Sequence, residues 1–257
     1  MTLLSWYPLR RRCFEIFLRL HQTLAAVLVA SALLHVPSEL VPRIYIYVGL
    51  GIFAATLTAE ALLLGRRNGI FIGIFTNVRW ARLPRVGEIF KYPVGNNSDG
   101  DKNPVQFMIH CLEPLQIDAG QYINVWVGSL GIMQTHPFVV ASWTGNQQTK
   151  LMLIIEPRRG WTKRLHSKAI AVSGQTTGLG RVLFTGPHGA PIPVGDYEYL
   201  FMVASGYGIV AQLPLLERLV HGVLAREARA LRICLVWEFE DIGEFALQID
   251  YLSHSIY

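Results

Sequence analysis

The chain has 257 residues, of which 51% are hydrophobic and 16% charged, with a formal net charge of +5. This hydrophobicity is high for a soluble domain and modest for a polytopic membrane protein, so we expect a short membrane part followed by a globular part. The positive charge does not indicate nucleic acid, because no basic patch is interleaved with aromatic residues. Three scattered cysteines form no CxxC pair, which argues against a disulfide framework or a zinc site.

The first apolar run, Phe14 to Val36, is about as long as a bilayer is thick and contains two histidines. His21 and His35 are fourteen positions apart, and at about 100° per residue both rings leave the same face of a helix. They would lie about 21 Å apart along the axis. An ionisable ring inside a membrane needs a partner, and a neutral imidazole can ligate a haem iron.

Two interpretations of this histidine pair stay open. Each ring could pack in a helix bundle and hydrogen-bond a neighbour, or each could ligate a metal. A haem held by two histidines needs one more ligand for each iron from a second helix. The remaining six histidines of the chain all fall outside the apolar runs.

A second span is predicted over residues 44–64, where the only charge is Glu60. The short connection between the spans holds two prolines, which favours an antiparallel hairpin. Three arginines (10–12) precede the first span, and two more (66 and 67) follow the second. The positive-inside rule therefore predicts that both outer ends of the hairpin, and everything after Arg67, are cytosolic. A signal peptide is the weaker alternative, because no clear cleavage site follows the first run.

From about Thr76 the pattern changes to short β-like runs separated by turn residues. The runs are VGEIFKYPV, PVQFMIHCLEP, AGQYINVWV, HPFVVASW, KLMLIIEP and RVLFTGPHG, with a polar turn NNSDGDKN after the first. They predict a small antiparallel barrel, interrupted by one short helix, GWTKRLHSKAI.

After Asp196 the pattern is that of a βαβ unit. YLFMVAS reads as a continuous apolar strand of the buried kind, GYGIVAQLPLLERLVHGVLARE as a glycine turn and helix, and LRICLVWEFE as a second strand. The glycines at 206 and 208 could let a backbone approach a phosphate at the helix N-terminus. A tight turn with no ligand is the alternative.

Several motifs occur in a fixed order: the span with paired histidines, AGQYINVW, HPFVVASW, LIIEPRRGWTKRL, GPHG and VASGYGIVAQLPLLERL. With them the chain resembles the ferric reductase and NADPH oxidase superfamily, most closely fungal ferric reductases, from about Phe14 to Glu240. The resemblance implies transmembrane electron transfer from cytosolic NADPH through FAD and haem b to an extracellular acceptor, most simply the ferric iron of a chelate.

The resemblance also implies roles for individual residues. Two of these, His21 and His35, match the haem ligands of one helix. The others match cofactor-binding positions for the flavin or the dinucleotide: Gln121, Tyr122, His136, Pro137, Phe138, Gly160, Trp161, Thr162, Gly206 and Gly208.

The resulting fold expectation is an α+β multidomain membrane protein. A transmembrane helical hairpin would cover 1–67, an antiparallel β-barrel FAD-binding domain 68–195, and a partial Rossmann-like nucleotide-binding domain of ferredoxin-reductase type 196–257. The protein would lie in a membrane, most simply the plasma membrane, in contact with lipid and without nucleic acid.

The sequence also departs from the family pattern. Val139 stands where a hydroxyl residue is common, and His188 where a tyrosine is common. The helix that supplies the other haem ligands and the later half of the nucleotide domain are not in this sequence, so upstream haem-binding helices or another subunit are expected partners. A superoxide-generating oxidase, and a membrane-anchored flavin-binding remnant without electron flow, stay open as alternatives.

Overall fold

The computed structural model describes residues 14–36, 39–70, 85–91, 104–131, 134–172 and 182–238. The arginines before the first span, the start of the predicted barrel at Thr76 and the polar turn at 96–103 lie outside these ranges. The chain divides into two compact units, Met1–Leu63 and Leu64–Tyr257, which are described separately below.

Two helices cover the two apolar runs: α1 spans Phe14–Leu34 and α2 spans Leu40–Arg67. By length and composition α2 could cross a membrane, whereas the apolar part of α1, Arg19–Leu34, is shorter. In both helices most described side chains are exposed, including Leu28 and Phe53. Within the described residues, these apolar surfaces are therefore left largely uncovered.

The second unit contains the predicted antiparallel barrel strands, arranged as two three-stranded sheets in the order β1-β2-β5 and β4-β3-β6. Their bounds are β1 Arg85–Lys91, β2 Val105–Leu115, β3 Tyr122–Val127, β4 Thr135–Val139, β5 Gln148–Ile155 and β6 Val182–His188. The residues after β4 cross to the other sheet, where the amide of Ala141 donates to the carbonyl of Met152 at 2.8 Å.

The barrel core follows from alternation along β2, β3 and β6. On β3 the side chains of Ile123, Val125 and Val127 are fully buried, while the positions between them face outward. Fully burying an aliphatic side chain contributes about 1.5–3 kcal/mol, so each such strand stabilises the fold by several kcal/mol before entropy is counted. Trp161 and Phe184 belong to the same core.

A helix α3, Trp161–Val172, follows β5 where the sequence predicts one. The chain then forms β7 Tyr199–Ser205, a 3₁₀ segment Gly206–Ala211, helix α4 Leu213–Leu224 and β8 Arg232–Glu238. Strands β7 and β8 pair in parallel, which confirms the βαβ unit.

Two details of this unit differ from expectation. The α-helix begins only at Leu213, because Gly206 has a left-handed φ of +50° and the following residues wind as a 3₁₀ helix. Pro214 then suits the first turn of α4, where its missing N–H costs nothing. The expectation that β7 is buried on both faces is wrong for the described residues, since Phe201 is 70% exposed and Val203 58%.

Candidate functional site

Strand pairing brings two of the predicted motifs together. The antiparallel register of β3 and β4 places Ile123 opposite Phe138, Asn124 opposite Pro137 and Val125 opposite His136. Since Ile123 and Val125 point into the barrel, His136 and Phe138 share their face, whereas Pro137 is exposed on the outside. The two rings are therefore two residues apart on one side of an edge strand.

Trp161 joins these two rings to the third motif. Its ring centroid lies 5.1 Å from that of His136 and 5.6 Å from that of Phe138, in tilted arrangements typical of aromatic contacts. The indole is 1% exposed, and its Nε1 finds no hydrogen-bond acceptor among the described residues. An unsatisfied buried donor costs about 1–3 kcal/mol, a cost that the packing of this indole in the barrel core offsets.

The start of α3 combines open space with an ordered first turn. Gly160 has a φ of +63°, and a Cβ there would meet nothing within 4 Å, so the space above the turn is open. Thr162 Oγ1 accepts a hydrogen bond from the amide of Arg158 at 3.0 Å, which fixes the chain as it enters the helix. The first amides of a helix carry partial positive charge, which stabilises a phosphate or carboxylate.

Gln121 and Tyr122 lie at the beginning of β3. Gln121 accepts from the amide of Asp118 and donates to the carbonyl of Gly189, both at 2.9 Å. Both ends of its amide thus hold the turn before β3 against the end of β6, which favours a structural role. The ring of Tyr122 lies 5.4 Å from that of His188 and remains partly exposed.

Three polar side chains that the motifs did not identify are linked by hydrogen bonds on the outer face of this sheet. The Nδ2 of Asn124 donates to Thr185 Oγ1 at 3.4 Å, and the same hydroxyl is hydrogen-bonded to His188 Nε2 at 2.9 Å. The alternation of β3 and β6 could have indicated that these residues face outward, but their mutual contact depends on the register between strands far apart in sequence.

The predicted dinucleotide turn lies at the carboxyl end of β7. A Cβ at Gly208 would meet nothing within 4 Å, so the turn is open at this position. Ile209 and Val210 pack in one cluster with Ala141, three residues after Phe138. The turn is also tied to β8, because Trp237 Nε1 donates to the carbonyl of Gly206 at 2.9 Å.

Asn68, just after α2, makes a buried contact that no sequence motif indicated. Its Nδ2 donates to the carbonyl of Phe184 at 2.8 Å, and its Oδ1 accepts from the amide of Phe184 at 3.1 Å. The same Nδ2 also donates to the carbonyl of Leu64. The residue is completely buried, so one side chain joins the end of α2 to strand β6.

In the first unit, His21 lies within α1 and His35 directly after it. The ring of His21 stacks on Phe17 with a centroid distance of 6.1 Å. The Nδ1 of His35 lies 2.9 Å from the carbonyl of Ser31, and a carbonyl can only accept, so Nδ1 carries the proton. In the neutral imidazole this leaves the lone pair on Nε2, the nitrogen that can ligate a metal. No group of three or more potential metal-binding side chains occurs in the described ranges.

The thiol of Cys111 contributes to packing rather than to chemistry. It packs against the barrel core, and burial raises its pKa to about 11. At neutral pH the thiol therefore stays protonated and is a poor nucleophile.

Comparisons with known proteins place these features in context. Residues 102–192 match the family model of an FAD-binding domain. Over 98% of its length the chain is 26% identical to ferric/cupric reductase transmembrane component 7 of Saccharomyces cerevisiae, of which the match covers 37%. It is 23% identical to a probable ferric reductase transmembrane component of Candida albicans over 96% of the chain and 33% of the relative.

Among solved structures, the chain is similar to a ferredoxin NADP+ reductase from Neisseria gonorrhoeae with bound FAD and NADP. The TM-score is 0.47 at 17% identity, covering 66% of this chain and 62% of the other. The chain spans about a third of the length of the curated relatives named above.

Proposed function

Because this chain is a ferric reductase-like protein, we propose that it carries the flavin-binding part of a membrane oxidoreductase that reduces ferric iron. Electrons would come from a reduced nicotinamide nucleotide on the cytosolic side, for which the family resemblance implies NADPH. They would pass through FAD and haem b to a ferric chelate outside. The acceptor, the plasma-membrane location and the orientation are parts of this proposal.

The observation that carries the flavin site is the single aromatic cluster of His136, Phe138 and Trp161 beside the start of α3. An isoalloxazine ring needs an apolar surface, and the pyrophosphate of FAD needs backbone amides at a helix N-terminus. Both lie next to each other here, because the half-buried rings of His136 and Phe138 lie beside the start of α3. FAD, when bound, supplies the step between two-electron and one-electron transfer.

The test is FAD retention by the full chain in detergent micelles, measured by absorbance after gel filtration. Phe138→Ala should weaken retention at least tenfold, because it removes an aromatic surface from the cluster. Phe201→Ala is the matched control, since this phenylalanine is exposed on β7 and should not change retention. Well-folded wild-type protein that takes up no FAD would contradict the proposal.

His21 and His35 are proposed as one axial ligand for each of two haems, with the second ligands supplied by upstream helices. The protonated Nδ1 of His35 fits this role, because metal-binding histidines usually donate their other ring nitrogen to a carbonyl or carboxylate. Each haem, when bound, supplies one-electron transfer across the apolar layer.

Haem binding can be tested by co-expressing the chain with the upstream helices of a fungal relative. We expect a low-spin haem b spectrum that falls by about half in His21→Ala or His35→Ala. His221→Ala, on α4 of the other unit, should leave the spectrum unchanged. Absence of haem from the assembled wild type would remove this part of the proposal.

A further inference from the structure

The lysines and arginines of this chain are concentrated in two stretches that contain no acidic residue. Residues 61–87 hold five arginines, and residues 157–195 hold six lysines and arginines, so the two stretches contain eleven of the 23 basic residues. None of the 18 aspartates and glutamates lies in either stretch. The rest of the sequence therefore has more acidic than basic residues, a segregation that the net charge of +5 does not show.

The fold brings the described parts of these two stretches together. Asn68 lies in the first stretch and Phe184 in the second, and two hydrogen bonds join them, at 2.8 and 3.1 Å. Leu64 and the residues after it belong to the same compact unit as the barrel, so this contact lies within one unit. Arg66 and Arg67, in the last turn of α2, come directly before Asn68, and both are exposed. The two arginines are therefore held near strand β6.

Helix α3 adds basic side chains near the same part of β6. The side chains of Arg164 and Lys168 donate to backbone carbonyls in the turn after β3, at 3.0 and 2.7 Å. This turn lies at the start of β6, because the end of β3 pairs with Val182. Phe184 is two residues further along the strand, about 7 Å away at 3.3 Å per residue. Lys163 and Arg164 are exposed, so α3 and the end of α2 both carry basic side chains at the start of β6.

An acidic residue lies at the opposite end of this sheet. The amide of Asp118 donates to Oε1 of Gln121, and Nε2 of Gln121 donates to the carbonyl of Gly189, directly after β6. Strand β6 has seven residues, so this end lies about 20 Å from the basic one. The barrel is therefore basic at the start of β6, where α2 joins it, and not uniformly basic.

A lipid surface fits these basic side chains because α2 ends among them. This helix is long and apolar enough to cross a membrane, and Arg67 is its last residue. The end of a membrane span lies at the level of the polar headgroups. Anionic headgroups attract lysine and arginine side chains within a Debye length, about 8 Å at physiological salt. The hydrogen bonds of Asn68 keep the start of β6 close to that level.

We propose that Arg66, Arg67, Lys163, Arg164 and Lys168 form a surface that binds the headgroups of anionic phospholipids. The inference rests on the proposed function, which places the barrel on the cytosolic side of a membrane, and it adds a preference for headgroup charge that an apolar span alone does not have. Arg164 and Lys168 already donate to carbonyls, and the remaining N–H donors of their guanidinium and ammonium groups can bind phosphate.

The test measures the acylation of lysines by an N-hydroxysuccinimide ester, with the full chain in nanodiscs. One preparation contains phosphatidylcholine alone, and the other contains phosphatidylserine as well. Peptide mapping by mass spectrometry gives the rates for Lys163 and for Lys150, an exposed lysine on β5 outside both stretches. An anionic surface attracts protons and keeps nearby amines protonated and unreactive. Phosphatidylserine should therefore slow Lys163 at least about threefold and leave Lys150 unchanged.

Two further comparisons sharpen the test. In about 1 M salt the screening length falls to about 3 Å, so the effect of phosphatidylserine on Lys163 should disappear. The double variant Arg66→Gln/Arg67→Gln should reduce that effect to less than about twofold, because it removes two of the five basic side chains. Its control, Arg229→Gln/Arg232→Gln, removes the same charge from exposed positions outside both stretches and should keep the wild-type effect. Thermal midpoints show that each variant is folded.

Equal rates for Lys163 in the two lipid compositions would overturn the inference, and so would an equal slowing of Lys163 and Lys150. A folded Arg66→Gln/Arg67→Gln protein with the full wild-type effect would overturn it as well. FAD retention is measured in the same nanodiscs. Its absence would contradict the proposed flavin site, whereas the acylation rates do not depend on bound flavin, so the two failures are distinguishable.

Discussion

The barrel strands and strand β7 all carry apolar side chains, but these side chains are covered to different extents. On β3 the inward side chains are completely buried between two sheets. On β7 the side chains of Met202 and Ala204 are buried, while Phe201 and Val203 on the other face are mostly exposed. An apolar sequence therefore predicts that a strand can be buried, but whether it is buried depends on another layer of the fold packing against it.

The buried side of the β7–β8 sheet depends on the barrel for part of its core. Ala204 and Leu213 pack in one cluster with Ala141 and Met152. A second cluster joins Met202 and Leu219 to Ala119, which precedes β3. The β7–β8 sheet is therefore stabilised on one face by α4 and the barrel, whereas the exposed side chains on its opposite face contribute little to stability.

The largest expected effect is the contrast between two phenylalanines. Phe184→Ala should lower the unfolding free energy by about 3–5 kcal/mol, because it opens a cavity in the barrel core. Phe201→Ala should change it by about 0.5 kcal/mol or less, because the ring is already in solvent. Denaturant titration of both proteins measures the difference. Similar losses would mean that the exposed face of β7 is covered in solution.

A smaller effect is expected at the polar contact on the barrel edge. Asn68→Ala removes the partners of both backbone groups of Phe184 and should cost about 2–3 kcal/mol, since buried groups are left unsatisfied. Asn146→Ala, in an exposed turn, is the matched control and should be neutral. The same denaturant titration applies, and a neutral Asn68→Ala would show that water replaces the amide.

The smallest effect concerns the two cysteines of these regions. Cys234 on β8 is exposed and should react with maleimide at pH 8, whereas Cys111 should react at least tenfold more slowly. Burial raises the pKa of Cys111 from 9.0 to about 11. Its protonated form is favoured by folding, so its contribution is complete below about pH 9 and is lost as the pH rises toward 11.

Peptide mapping by mass spectrometry measures both labelling rates, and thermal midpoints between pH 8 and 11 measure the stability effect. Cys111→Ala should flatten the alkaline part of that curve. Equal labelling of the two thiols in folded protein would contradict the burial of Cys111.

Much of this architecture was predictable because it depends on local pattern. The β-like run in residues 119–127 predicts β3, and the order of the GQY, HPF and GWT motifs carries the resemblance to ferric reductases. The parallel pairing of β7 and β8 followed from two apolar strands around a helix. Each of these inferences uses residues that lie within one element or its neighbour.

What could not be predicted depends on contacts between distant segments. Asn68 and Phe184 are 116 residues apart, and nothing in the sequence around Asn68 indicates a partner. The packing of Trp161 on His136 and Phe138 required the position of α3 relative to β4. The exposure of Phe201 could not be predicted either, because coverage of a strand is decided by the layer opposite to it. The roles of the site residues stay predictions until ligands are measured.

The contact of Asn68 with Phe184 also protects the protein against association. Among the described strands β6 is an edge of its sheet, and an edge strand has amides and carbonyls with which another chain could pair. The carboxamide of Asn68 satisfies one amide and one carbonyl of that edge as a neighbouring strand would, but it cannot extend the sheet. A single side chain therefore closes this edge to strand addition at Phe184, which reduces the tendency of the barrel to aggregate through β-pairing.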